Sequence, residues 1–197
     1  MIKLYGMALS GNAYKARLLL ELLGLEYEEI PVNLRNGENR TESFLALNPR
    51  GQIPTLIDGE VTVWDSQAIL VYLARRYGEA WLPTDPEPMA EVMQWLAVAE
   101  NELLFGLAHA RAVLSFGRDY NLTYCQAYGR AGLKVLEQRL AGHEWLAAGR
   151  PTIADIACMP YVALSHQGEV PLDEFPSVRA WIDRIRALPG FIPMAGI

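Results

Sequence analysis

Hydrophobic and polar positions alternate with two different periods in the first third of the chain. Ile2–Tyr5 is a short apolar run ended by Gly6, and apolar and polar residues alternate along Tyr27–Val32, so both segments are predicted as β-strands. Between them, Ala13–Leu23 has apolar side chains at helical spacing, and Gly24 is typical of the residue just past a helix end. The chain is therefore expected to begin as strand, helix, strand.

A hairpin and a helix follow. The pair Asp58-Gly59 suits a type I′ turn, which joins the predicted strands Thr55–Asp58 and Val61–Trp64. Ser66–Tyr77 then has helical periodicity, and about one further helical turn is expected around Glu42–Leu47. The resulting order, β-α-β-α-β-β-α, predicts a thioredoxin-like α/β domain.

The pattern changes after a stretch that contains one glycine and three prolines, Gly78–Pro88. No strand pattern occurs beyond it, and the second domain is predicted to be all-helical. The expected domains are residues 1–78 and 89–197, joined by a linker at residues 79–88. The predicted helices are Met89–Phe116, Thr123–Leu140, Thr152–His166 and Ser177–Leu188.

One helix start in the second domain has a recognisable capping pattern. Thr152 is suited to cap the helix, and Asp155, three residues on, can return a carboxylate oxygen to the backbone N–H of the cap. We interpret this capping box as a contribution to the fold and not to chemistry.

Composition excludes several classes of function. The net charge is −6 without a cluster of lysine and arginine, which argues against nucleic-acid binding, and no apolar run is long enough to span a bilayer. The three histidines share no metal-ligand spacing, so no metal is expected. Cys125 and Cys158 lie far apart and are expected as buried thiols. A cytoplasmic, reducing location fits these features.

The chemistry is concentrated around Asn48–Glu60. Pro54 stands where the first hairpin strand begins, because proline has no N–H for a sheet, and it forces Ile53 into extended geometry. An ordinary strand-initiating proline is one interpretation. A cis Ile53–Pro54 bond, which would turn the N–H and C=O of Ile53 outward to pair with an extended peptide, is the other.

An anion site is expected just after the hairpin. Asp65 or Ser66 is suited to cap the following helix, whose N-terminus offers free N–H groups and the positive end of the helix dipole. An outward backbone pair beside such a site predicts a receptor for a short peptide with a free carboxylate.

These two motifs, Asn48-Pro-x-Gly-Gln-Ile-Pro54 and Asp65-Ser66-x-Ala-Ile69, resemble the glutathione-binding segment of the soluble glutathione S-transferases. The resemblance extends to the two-domain plan of the whole chain. It implies a cytoplasmic detoxification enzyme that adds the thiolate of its co-substrate glutathione to a small hydrophobic electrophile. It also implies a homodimer, with Ser66–Tyr77 and Met89–Phe116 at the interface.

The resemblance assigns parts of glutathione to residues. It pairs the backbone of Ile53, which precedes Pro54, with the cysteinyl part. The glycine carboxylate would meet a cation, Arg40 or, as the alternative, Arg35. The γ-glutamyl end would be held by three side chains: Gln52, Asp65 and Ser66.

Activation of the thiol needs a hydrogen-bond donor, because a free thiol has a pKa of roughly 8.5 and is mostly protonated at neutral pH. Ser10 and Asn12, in the loop that enters the first helix, resemble the donors of certain bacterial transferases. Both residue types are also common helix caps. Tyr5 is the rival donor, although its place in an alternating strand favours a packing role.

The electrophile pocket is expected where the two domains meet, lined by Phe105, His109 and Phe116 and also by Val113 and Tyr120. Aromatic residues at helical spacing more often belong to the core than line a pocket. The sequence therefore does not identify the substrate. Two other functions stay open: a glutathione-dependent disulfide reductase, isomerase or dehalogenase, and a binding or assembly module without catalysis.

Overall fold

The computed structural model describes all residues, 1–197, and divides them into two compact units. The first unit consists of residues 1–79 and 189–195, and the second of residues 80–188 and 196–197. This division differs from the expected domains at the end of the chain, because residues 189–195 belong to the first unit. Within that unit, the Tyr14 hydroxyl donates a hydrogen bond of 2.6 Å to the Ile192 carbonyl.

The first unit is built on a mixed four-stranded sheet in the order β2-β1-β3-β4. The central strand β1 pairs in parallel with β2 and antiparallel with β3, and β3 pairs antiparallel with β4. The parallel pair requires a crossover connection, and a helix provides it. The strands are β1 (Ile2–Gly6), β2 (Tyr27–Pro31), β3 (Thr55–Asp58) and β4 (Val61–Trp64).

Three helices complete this unit, and the element order confirms the predicted β-α-β-α-β-β-α arrangement. They are α1 (Gly11–Leu22), α2 (Glu42–Leu47) and α3 (Ser66–Tyr77), with a 3₁₀ turn at Glu38–Arg40 before α2. The helices α1 and α3 pack against each other, and their leucines join those of the sheet in the core. Burial of this apolar surface is the main term that stabilises such a small unit.

The second unit is helical, as predicted, and none of its helices is long and apolar enough to cross a membrane. Its α-helices are α4 (Pro86–Glu100), α5 (His109–Phe116), α6 (Leu122–Leu140), α7 (Ile153–Ala163) and α8 (Pro176–Arg186). Two short segments accompany them in this unit, a π-helical one at Glu102–Ala108 and a 3₁₀ one at Ser165–Gly168.

The prediction of one continuous helix over Met89–Phe116 is wrong. The backbone leaves helical geometry at Asn101 (φ −113°, ψ −90°), and the wider π-helical segment separates α4 from α5. Asparagine is a poor residue for a helix interior. The π-helical segment also approaches α6 closely, because a Cβ at Gly106 would come within 2.3 Å of the Gly129 nitrogen.

The capping box at the start of α7 is confirmed, and it is part of a larger buried network. Asp155 is fully buried, and its carboxylate accepts hydrogen bonds from the Thr152 N–H (2.9 Å), the Leu146 N–H (3.1 Å) and the Trp181 indole N–H (2.9 Å). Burial raises the pKa of the Asp155 carboxyl, and these hydrogen bonds oppose that rise. One carboxylate thus joins α7, α8 and the loop before α7.

We expect Asp155→Ala to lower the free energy of unfolding by about 2–4 kcal/mol, because it leaves several buried donors without an acceptor. Chemical denaturation measures this loss. Asp183→Ala is the control: Asp183 is exposed and pairs with Arg186 three residues on, so its removal should change stability by about 0.5 kcal/mol or less. Equal effects of the two variants would contradict the structural role of Asp155.

Candidate functional site

A buried asparagine holds the loop that enters β3. Asn48 is 1% exposed, and its amide donates to the Gln52 carbonyl (2.7 Å) and to the Thr55 hydroxyl (3.2 Å). Its side-chain oxygen accepts from the Arg50 N–H at 3.0 Å. One side chain therefore fixes the loop at both ends and in the middle, which explains why the motif needs an amide at position 48.

The same loop is braced from outside by the 3₁₀ turn Glu38–Arg40. The Asn39 amide donates to the Gly51 carbonyl (2.7 Å), and the Arg40 guanidinium donates to the Arg50 carbonyl (3.4 Å). Gly51 has a φ of +60°, and a Cβ there would lie 2.7 Å from the Arg40 Nη1. Arg40, the expected glycine-carboxylate ligand, is thus placed against the loop, whereas Arg35 makes no such contact.

The next residues present free backbone groups. The Ile53–Pro54 peptide bond is cis, as one of the two interpretations expected. Neither the N–H nor the C=O of Ile53 makes a hydrogen bond within the chain. The Gln52 side chain is exposed beside them. This edge can therefore accept the backbone of an extended peptide.

Asp65 caps α3 with an unusual backbone conformation. Its φ is +80°, and its Oδ1 accepts hydrogen bonds from the N–H groups of Gln67 (3.0 Å) and Ala68 (3.4 Å). Its Oδ2 pairs with the Arg50 guanidinium at 3.1 Å. The cap leaves the N–H of the buried Ser66, the first residue of α3, for a ligand.

Ser10 caps α1 and keeps a proton to donate. Its hydroxyl oxygen accepts from the Ala13 N–H at 3.2 Å, so its own hydrogen is available to another acceptor. Asn12, in the first turn of α1, has a buried side-chain oxygen without a hydrogen-bond partner. Tyr5 is half-buried, and its ring contacts Phe44 edge-on at 6.2 Å, the packing role expected for it.

The three aromatic residues expected to line the electrophile pocket lie in the second unit. His109 is stacked on Tyr120 (ring centroids 4.0 Å apart) and meets the edge of Phe105 (5.1 Å), while Phe116 lies over the Arg111 guanidinium. Burial lowers the pKa of His109, which favours the neutral ring. No group of histidine, cysteine and acidic side chains in the chain could hold a metal ion.

Sequence reasoning missed two residues of this region, Arg50 and Trp64. Arg50 occupies the variable position of the Asn48-Pro-x-Gly motif and reaches both Asp65 and the Trp64 ring, 5.8 Å from its guanidinium carbon. The opposite charges of Arg50 and Asp65 were visible in the sequence. Their pairing depends on how the loop folds, which no local pattern reports.

Two family descriptions match the chain: "Glutathione S-transferase, N-terminal domain" over residues 1–75 and "Glutathione S-transferase, C-terminal domain" over residues 126–189. The chain belongs to the glutathione S-transferase family. It is a glutathione transferase that uses glutathione as its co-substrate.

Relatives with names and structures agree with this assignment. Glutathione S-transferase 3 of Zea mays is 34% identical over 96% of this chain and 91% of its own length. Maleylacetoacetate isomerase of Pseudomonas aeruginosa is 32% identical over 96% of this chain and 93% of its length. The crystal structure of a possible glutathione S-transferase from Rhodopseudomonas palustris is 37% identical, with a TM-score of 0.92 over 98% of this chain and 97% of that one.

Gly51→Ala should weaken glutathione binding about ten-fold or more, because the added Cβ displaces Arg40 and Asn39 from the loop. Gly59→Ala is a matched control: Gly59 also has a φ of +60°, but a Cβ there meets nothing within 4 Å. Both variants should lose about 1–2 kcal/mol of stability from the backbone conformation. Calorimetric titration with glutathione should separate them, and equal affinities would contradict the role of the braced loop.

Proposed function

We propose that Ser10 is the group of this transferase that stabilises the glutathione thiolate. The observation that carries the proposal is the geometry of the Ser10 hydroxyl, whose oxygen is engaged by the Ala13 N–H while its hydrogen stays available. A donor to the thiolate favours the ionised form and lowers the thiol pKa. The N-terminus of α1, which follows directly, adds the positive end of a helix dipole.

Glutathione is proposed to lie along the loop that Asn48 and Asn39 hold in place. The free N–H and C=O of Ile53 pair with the cysteinyl backbone, and Arg40, next to Gly51, meets the glycine carboxylate. The γ-glutamyl end lies at the start of α3, near Gln52, Asp65 and Ser66. Asn12, in the first turn of α1, is assigned as a second donor near the sulfur, because its side-chain amide carries N–H groups that a thiolate can accept.

The electrophile is proposed to be a small hydrophobic molecule in contact with the second unit. Phe105, Phe116 and Tyr120 are exposed there, and the neutral ring of His109 joins them. Exposed aromatic side chains in one cluster are typical of a binding surface. We place the protein in the cytoplasm, in keeping with two buried cysteines that form no disulfide bond.

A second candidate function is isomerisation of a double bond, and the relative named maleylacetoacetate isomerase favours it. The thiolate would add to a conjugated cis double bond, the resulting single bond would rotate, and elimination would return glutathione and the trans product. Product analysis distinguishes the two reactions, because conjugation consumes one glutathione per turnover and isomerisation consumes none.

Ser10→Ala should raise the pKa of the bound glutathione thiol by about one to two units and slow turnover at neutral pH by about ten- to a hundred-fold. The thiolate absorbance of bound glutathione against pH measures the shift. Ser10→Gly is the control for capping, because glycine costs a helix start only a few tenths of a kcal/mol compared with about 0.5–2 kcal/mol for alanine.

The two variants should therefore lose activity equally while differing in stability. Titration curves that coincide with that of the parent protein would mean that Ser10 only caps α1. The thiolate donor would then have to be Asn12 or Tyr5, and the corresponding Asn12→Ala and Tyr5→Phe variants would show the shift instead.

We also propose that the protein is a homodimer that associates through α3 and α4. Both helices expose apolar side chains, including Met93, which is 51% exposed on α4. Sedimentation of the parent protein should give twice the chain mass of 22.0 kDa. The Met93→Glu variant should sediment with the mass of one chain, because the substitution places a charge in the interface. Val135→Glu, at a similar exposure of 47% on α6, should stay dimeric. A parent protein at 22.0 kDa would contradict the proposal.

A further inference from the structure

Three groups of Arg50 make contacts within the chain: its backbone N–H, its backbone carbonyl and its guanidinium. Its backbone N–H donates to the Asn48 side chain (3.0 Å), and its backbone carbonyl accepts from Arg40 (3.4 Å). Its guanidinium pairs with the Asp65 Oδ2 at 3.1 Å and lies over the Trp64 ring. An exposed ion pair by itself contributes little, but this arginine is anchored through both its backbone and its side chain.

The pair changes the charge at the start of α3. Asp65 uses Oδ1 to cap the helix and Oδ2 to bind Arg50, so a negative and a positive group lie side by side at that point. The carboxylate of Asp65 alone would attract the ammonium group of a ligand, but it would repel a ligand carboxylate bonded to the same carbon atom as that ammonium. The α-amino-acid end of a γ-glutamyl peptide carries both groups.

We infer that Arg50 is a specificity-determining residue that donates to the α-carboxylate of the γ-glutamyl group while Asp65 accepts from its ammonium. A guanidinium has five N–H donors, and the contact with Asp65 leaves others for a ligand carboxylate. The N–H of Ser66 lies at the positive end of the α3 dipole, which also favours the α-carboxylate of the ligand. The inference rests on the proposed position of the γ-glutamyl end.

This arrangement makes recognition depend on the complete zwitterion. A peptide that lacks the α-carboxylate should gain no affinity from Arg50. A peptide that lacks only the ammonium should still bind to Arg50 through its α-carboxylate. A role of Arg50 confined to shaping the loop would affect all such peptides alike.

The test compares Arg50→Met with the parent protein by calorimetric titration of three peptides: glutathione, glutaryl-cysteinyl-glycine, which lacks the ammonium, and γ-aminobutyryl-cysteinyl-glycine, which lacks the α-carboxylate. Arg50→Met should bind the first two about ten-fold more weakly, because a charge-assisted hydrogen bond is lost. It should bind the third as tightly as the parent protein or more tightly. Arg179→Met, which removes an exposed charge from α8, should change none of the three affinities.

An equal loss for all three peptides, or no loss for glutathione, would overturn the inference while leaving the transferase site intact. A parent protein that binds none of the three would contradict the proposed site itself, and the inference would fall with it. Arg50→Lys keeps the positive charge and should recover most of the affinity for glutathione.

Discussion

The hydrogen bonds of the buried Asn48 amide are the constraint on which the proposed site depends. They tie the start of the loop to its end at Gln52 and to the first residue of β3, and they hold the backbone of Arg50. The proposed contacts of Gln52 and Ile53 with glutathione depend on that loop conformation. Because the amide is buried, each of its bonds would be costly to leave unmade.

The two helix starts of the proposed site share a physical feature. Ser10 and Asp65 each satisfy backbone donors of the helix that they begin. Ser10 also keeps a hydroxyl hydrogen for a ligand, and the Oδ2 of Asp65, which pairs with Arg50, can accept a second hydrogen bond. Capping and ligand binding are therefore compatible in one side chain. The rotamer that capping fixes also places the functional group in advance, which reduces the entropic cost of binding.

The predictable parts of this protein were those encoded locally. Period-two and helical patterns predicted the sheet, its hairpin and most helices, and the Thr152–Asp155 spacing predicted the capping box. The break at Asn101 was missed because apolar residues continue through it at helical spacing. The Arg50–Asp65 pair was missed because it joins residues fifteen positions apart through a loop whose shape depends on Asn48 and Asn39.

A crystal structure of the protein with bound glutathione tests the central claim most directly. The claim predicts the peptide backbone paired with Ile53, the γ-glutamyl group between Arg50 and Ser66, and the sulfur at hydrogen-bonding distance from the Ser10 hydroxyl. A sulfur atom beside the Tyr5 hydroxyl and remote from Ser10, or a peptide bound away from Ile53, would contradict it.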